Sequence, residues 1–293
     1  MIANIEQVKI VNTEFRMERN RIGLFNSHFQ NFKQFGIPKA QLIIADVPYN
    51  LGNNAYASNP VWYKDGDNKN GESDLAGEEF FDTDKDFRPA EFMHFCSQML
   101  RPEPKEKNED GRTKSKAPCM VIFCAFEQMH YFIELGQRYG FKHNIPLIFR
   151  KNFSAQVLKA NMKIVGNCEY GLVLYKDKLP KFNNEGNMVM NCMDYPRDTK
   201  TPKIHPTQKS VPLLAKLIRL FTDPDDVVID PCAGSGTTLI AAANLGRKTY
   251  GFEIKKDFYV SACNLIKQCY QPSMFDVDRI KGKNTATQKS LFQ

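Results

Sequence analysis

The sequence predicts an α/β fold with a doubly wound, mostly parallel sheet, and two observations carry that prediction. Short apolar runs alternate with stretches of helical periodicity along most of the 293 residues, a rhythm that neither a helical bundle nor a β-sandwich produces. The segment "VVIDPCAGSGTTLIAAANLG" (227–246) has the order strand, glycine turn, helix. No apolar run approaches the ~20 residues of a membrane-spanning helix, and "MIANIEQVKIVNTEF" lacks the core of a signal peptide, so a cytoplasmic protein is expected.

Taken in order, residues 21–25 read as a strand, 27–35 as a helix, and 41–45 as a strand running into Asp46. "PAEFMHFCSQML" (89–100) has helical spacing, "CMVIFCAF" (119–126) reads as a buried strand, and "EQMHYFIELGQRYG" (127–140) as a helix stopped at Gly140. Strands follow at 144–150 and 169–176. Ser210 suits the N-cap and Pro212 the first turn of an amphipathic helix over 210–221. A strand at 225–230, a helix at 237–246, a strand at 248–254 and a helix near 257–270 complete the series. Three stretches break the rhythm: 52–79, polar and glycine-rich with the sole tryptophan Trp62; the charged 101–118; and the aperiodic 177–204.

The composition, 42% hydrophobic and 25% charged, is that of a folded protein. Lysine and arginine exceed aspartate and glutamate by seven (40 against 33), which suits a polyanionic partner without identifying one. Cys96, Cys119, Cys124, Cys168, Cys192, Cys232, Cys263 and Cys269 form no C-x-x-C pair. They read as reduced core thiols, with no metal site and no disulfide frame.

The glycine turn has the features of a nucleoside-cofactor site. Gly234 and Gly236 let a ligand approach the main chain closely, and Thr237 and Thr238 open the helix at its positive end. The next strand ends in Glu253, where a carboxylate accepts hydrogen bonds from a ribose diol. Leu239 replaces the third glycine of a dinucleotide site, and no lysine follows the turn as in a phosphate loop. Asp230 would repel phosphate but suits a cationic amine. S-adenosylmethionine carries such an amine, a sulfonium and a ribose.

"LIIADVPYN" (42–50) supplies the matching chemistry. A nucleobase amine is a poor nucleophile because its lone pair is delocalised into the ring. Asp46 and the carbonyl of Val47 can accept both of its N–H groups, favouring a tetrahedral nitrogen held in line with the methyl group. Pro48 stiffens the turn and Tyr49 stacks on the base, which must leave the duplex to arrive there. By itself "DVPY" reads more simply as a strand-end turn; the cofactor motif in the same chain reverses that balance.

"DVPYN", "HPTQKS" (205–210) and "DPCAGSGTT" together resemble the amino-methyltransferases of the bacterial and phage DNA N6-adenine/N4-cytosine family, in the β-class order. The resemblance covers about 20–270 and includes "LIFRK" (147–151) and "CEYGLVLYK" (168–176). It implies a Rossmann-like methyltransferase sheet, mostly parallel with one antiparallel strand, in circularly permuted motif order. The domain would span 1–273, as a catalytic half (20–151), a small irregular target-recognition segment (152–204) and a cofactor half (205–273), before a flexible tail (274–293).

Carried over by that resemblance, Asp46, Val47, Pro48 and Tyr49 form the catalytic motif. S-adenosylmethionine is held by Asp46 and by Asp230, Pro231, Cys232, Gly234, Ser235, Gly236, Thr237 and Thr238. Glu253 takes its ribose, Ile254 lies against its adenine, and His205, Pro206, Thr207 and Lys209 cover it. Phe149 is a second stacking ring or, nearly as well, a core ring at a strand end. Val47 stands where a second proline is usual, and Ser210 where proline follows the motif lysine. Since residue 47 is asked only for its carbonyl, Val47→Pro is expected to keep activity within about tenfold.

An opening aspartate points to adenine N6 methylation, with N4-cytosine and an inactive DNA-binding subunit as alternatives. Asp46, Tyr49, Gly234, Gly236 and Glu253 are all present, which favours an active enzyme. DNA is the expected partner, met by Lys159, Lys163, Lys176, Lys178, Lys181, Arg197, Lys200 and Lys203 with Asn183, Asn184, Asn187 and Asn191. Interleaved Asp177, Glu185, Asp194 and Asp198 leave a solvated mixed-charge loop open as the plainer reading. A homodimer is a further expected partnership. "QKSLF" (288–292) resembles a sliding-clamp-binding peptide through Gln288, Leu291 and Phe292, although a polar tail matching by chance is the weightier reading.

Overall fold

The computed structural model describes residues 9–11, 13–18, 21–48, 87–105, 116–152, 156–159, 164–205 and 207–271. The chain begins with β1 (Lys9–Val11), β2 (Glu14–Met17) and β3 (Ile22–Phe25), then a 3-10 helix (Phe29–Phe35), β4 (Leu42–Asp46) and α1 (Pro89–Met99). Next come β5 (Cys119–Cys124), α2 (Phe126–Arg138), β6 (His143–Arg150), β7 (Gln156–Lys159), β8 (Ile164–Gly166), β9 (Cys168–Tyr175) and β10 (Cys192–Asp194). The last elements are α3 (Val211–Phe221), β11 (Val227–Asp230), α4 (Thr237–Asn244), β12 (Lys248–Phe252) and α5 (Lys256–Cys269). Ser210 caps α3 as expected, its hydroxyl accepting the Leu213 N–H.

Two compact units divide these elements, one joining Met1–Leu42 to Asp198–Gln293, the other Ile43–Arg197. In the first, the strand order is β1-β2-β3-β12-β11. β12 runs parallel to both β3 and β11, whereas β2 is antiparallel to both neighbours. Helix α4 is apolar nearly all round, burying Leu239, Ile240, Ala241 and Ala242, so it must be covered on several sides. It packs against α3, α5 and the strands β11 and β12. A side chain at Gly251 would put its Cβ 2.8 Å from Leu239 Cδ1, so the helix sits on β12 at a distance only glycine allows.

In the second unit the order is β4-β5-β9-β6-β10. β9 is antiparallel to β5 and β6, and β10 is parallel to β6. β9 is the antiparallel strand the resemblance implies; the amino-terminal hairpin β1–β2 adds antiparallel pairing that the sequence pattern had not revealed. β10 falls inside 177–204, read from sequence as aperiodic, and its three residues are too few to show a period. The cysteines only partly match a core reading: Cys96, Cys119, Cys124 and Cys263 are buried, while Cys192 is exposed.

Tyr49, the stretch 52–79 with Trp62, Pro206, and the tail residues Gln288, Leu291 and Phe292 lie outside the described residues. No helix among the described residues is long and apolar enough to cross a membrane.

Candidate active site

Within the first unit, the turn after β11 gathers most of the predicted cofactor residues. Asp230 is buried at the strand tip, and its Oδ1 accepts the Cys232 N–H at 2.9 Å. Gly234 and Gly236 both take left-handed backbone angles (φ 49° and 76°), which explains two glycines so close together. A Cβ at Gly236 would also lie 3.1 Å from Ile266 Cδ1, which would have to shift slightly. Ser235, Thr237 and Thr238 are buried against the turn.

Glu253 closes this turn from the next strand. Its Oε2 accepts the Gly234 N–H at 2.9 Å and its Oε1 the Lys255 N–H at 2.8 Å. Burial pushes its carboxyl up to about 7, against the pull of those N–H groups toward the ionised form. Ile254 beside it is exposed, an apolar surface that a ligand ring could cover.

His205 comes from before α3 and reaches the same turn. A Cβ on Gly234 would meet nothing nearer than His205 Nε2, at 3.9 Å, so there is room on the face of that glycine. Thr207 donates its N–H to His205 Nδ1 at 3.3 Å, which leaves the ring proton on Nε2. Burial, helped by Lys209, Lys203 and Lys255, pulls the imidazole down to about 4, so it is neutral at physiological pH. The ring packs edge-on against Phe258, 4.5 Å between centroids. Lys209 is buried.

Within the second unit, Asp46 ends β4, and Val47, itself buried, donates its N–H to the Phe123 carbonyl at 3.1 Å. The Pro48 carbonyl accepts from Gln128 Nε2 at 2.9 Å. The same sheet edge holds Tyr170, paired with Cys124, and Lys151, whose ammonium pairs with Glu169 and lies 4.9 Å from the Tyr195 ring centroid.

A family model described as DNA methylase matches residues 40–264. The chain belongs to that N6/N4 DNA methylase family. S-adenosylmethionine is the cofactor, and the open face of Gly234, the Glu253 carboxylate and the exposed Ile254 fit its amino-acid, ribose and adenine parts. The DNA adenine methyltransferase YhdJ of Escherichia coli (strain K12) is 22% identical over 267 residues, covering 86% of this chain and 85% of YhdJ. Matches to curated relatives span from 63% to 85% of the length of the two longest-matched ones. Among solved structures, the M1.HpyAVI–SAM complex superposes with a TM-score of 0.59 at 23% identity, covering 83% of this chain and 98% of that one. The cytosine-N4-specific PvuII DNA methyltransferase gives 0.55 at 15% identity, covering 84% and 90%. These structures share the fold.

Two expectations for the methylase need correcting. Phe149 offers no stacking face: it is fully buried, its ring 5.1 Å from that of Phe123 and pressed on Gly171, where a Cβ would meet Phe149 Cε2 at 2.9 Å. The aromatic surface at this edge comes instead from Phe126, 65% exposed, with its ring 5.4 Å from Tyr170. The segment 152–204 is also not one structural piece. The hairpin β7–β8 springs from the edge where β6 ends, its base closed by Lys151 N–H to the Asn167 carbonyl at 2.7 Å. The loop after Tyr175 leaves from the opposite edge, where Tyr175 faces His143. Lys178, Lys181, Asn183, Asn184 and Asn187 follow that opposite edge, and Lys200 and Lys203 belong to the first unit.

Sequence reasoning missed Gln128, Phe126 and Asp198. Asp198 Oδ1 accepts the N–H groups of Lys200 and Thr201, and its Oδ2 that of Val211, tying the approach to "HPTQK" onto the start of α3. An isolated aspartate in a polar stretch gives no such signal.

Proposed function

We propose that this methylase transfers the methyl group of S-adenosylmethionine to the N6 amine of an adenine flipped out of DNA. The observation that carries the reading is Asp46 at the end of β4, followed by a main chain held at both Val47 and Pro48. S-adenosylmethionine supplies an electrophilic methyl on its sulfonium. Asp46 and the Val47 carbonyl accept the two N–H groups of the amine, localise its lone pair and point it at the methyl carbon. Tyr49 and Phe126 flank the base. In the other unit, Asp230 and the turn to Thr238 hold the methionine end, Glu253 the ribose and Ile254 the adenine. Neutral His205 with Thr207 and Lys209 covers the cofactor.

The segment best placed to read DNA is the strand pair β7–β8 rather than all of 152–204. It rises from the edge that holds Asp46, and a two-stranded ribbon fits the major groove. The protein would act in the cytoplasm on duplex or single-stranded DNA.

The test is incubation with DNA from a methylase-deficient bacterium and labelled cofactor, then nucleoside analysis by mass spectrometry. N6-methyladenine is expected. N4-methylcytosine would overturn the base assignment. DNA binding without any methylated base would overturn methyl transfer and favour an inactive binding subunit.

A further inference from the structure

The side chain of Gln128 makes two hydrogen bonds of different kinds. It is the third residue of α2, and its Oε1 accepts the Ala125 N–H at 3.0 Å, the backward-reaching half of a capping box. Its Nε2 donates to the Pro48 carbonyl at 2.9 Å, across 80 residues of chain. One peptide earlier, the Val47 N–H is held by Phe123, two residues before Ala125. The end of β5 and the start of α2 therefore grip the Val47–Pro48 stretch on both sides. The carbonyl left between those two anchors is that of Val47, the one the amine chemistry uses.

We infer that Gln128 is a positioning residue for methyl transfer, holding Pro48 so that Asp46 and the Val47 carbonyl converge on one amine nitrogen, a role that rests on the methyl-transfer reading. Capping alone does not ask for an amide. Glutamate fills the same capping-box position as well as glutamine does, and a carboxylate at a helix N-terminus is favoured by the helix dipole. Only the donor half of the glutamine amide reaches Pro48. A carboxylate there would set oxygen against oxygen, unless it carried a proton.

Gln128→Glu separates the two roles. The variant keeps the cap, so its cofactor Kd by calorimetry stays at the wild-type value and its Tm falls by only about 2–4 °C, the cost of one hydrogen bond. On bacterial DNA at about pH 8, where a carboxyl is ionised, kcat falls about ten- to a hundredfold with KM for DNA little changed, the penalty of a reacting group misplaced by a fraction of an ångström. Gln128→Ala, which loses both bonds, shows the same kcat loss with a larger fall in Tm. Wild-type kcat in Gln128→Glu, or a loss that falls on KM for DNA rather than on kcat, overturns the assignment. Wild-type protein that transfers no methyl group would instead overturn the activity. The clamp is then read from the Gln128 side-chain amide protons, which exchange slowly if Pro48 holds them and at the solvent rate if it does not.

Discussion

The two units of this methylase build their working parts by opposite means. In the unit proposed to hold the cofactor the partners are close in sequence: Cys232 bonds to Asp230, and Gly234 to Glu253 only 19 residues on. The turn is set by glycine angles and by carboxylates that accept its own N–H groups. In the unit proposed to be catalytic, the stretch after Asp46 has almost no local support. Val47 is held by Phe123 and Pro48 by Gln128, 80 residues away. The first site is a local turn that shapes itself, and the second is a strand end that depends on the sheet and on α2. Substitutions in the first should act on cofactor affinity, and those in the second on the chemical step.

The largest expected effect tests that division at its sharpest point. Asp46→Ala should abolish methyl transfer, a fall of at least about a thousandfold in kcat, because it removes the acceptor that localises the amine lone pair. Cofactor Kd, measured by calorimetry, should change far less. Near-normal activity in this variant would refute the chemistry proposed for the catalytic unit.

Glu253→Gln is the counterpart in the cofactor unit. Losing a charged acceptor should weaken cofactor binding about ten- to a hundredfold with kcat at saturation largely kept. The pH dependence has a definite sign. Burial holds the Glu253 carboxyl at about 7, above its ordinary range. The protonated form cannot accept both ribose hydroxyls, so binding should weaken as pH falls through about 7, by at most about tenfold per unit. Stability without cofactor runs the other way. A raised carboxyl favours the folded state below its ordinary range, and that contribution is lost as pH rises through about 7. Calorimetry and melting curves across this range should therefore slope in opposite directions, and Glu253→Gln should flatten both. Parallel slopes would mean that another group governs cofactor binding.

The same contrast explains what could be read in the sequence. The glycine turn after β11 was legible because strand, glycines, helix and acid lie within one short stretch, each residue type explained by its neighbours. Ser210 was legible as a cap for the same reason. The supports of the catalytic stretch were not, because nothing near Gln128 or Phe126 distinguishes a clamp or an exposed ring from an ordinary helix start. Phe149 was open to two readings because a strand-end phenylalanine looks alike whether it faces a ligand or a core; Gly171 beneath its ring decides for the core. The recognition segment looked continuous because chain order does not say which sheet edge a loop leaves from. That depends on β9 running antiparallel, which no local pattern encodes.

The smallest expected effect falls on Val47, where a proline would restore the more usual motif. The sequence argument considered only the carbonyl of residue 47, which proline also has. The fold adds a second duty, since the Val47 N–H donates to Phe123 and proline has no N–H to give. Val47→Pro thus loses one hydrogen bond and strands a carbonyl at a buried position, a cost of about 1–3 kcal/mol. Reduced freedom of the unfolded chain returns about 0.4–1 kcal/mol of that. Asp46, already extended in β4, meets no conflict with a following proline. The net effect should be a Tm lower by about 2–6 °C with kcat still within about tenfold of wild type. A hundredfold loss of kcat with Tm unchanged would show that the bond to Phe123 aims the Asp46 carboxylate rather than merely holding the strand end, so that valine at 47 is a working part of this catalytic unit.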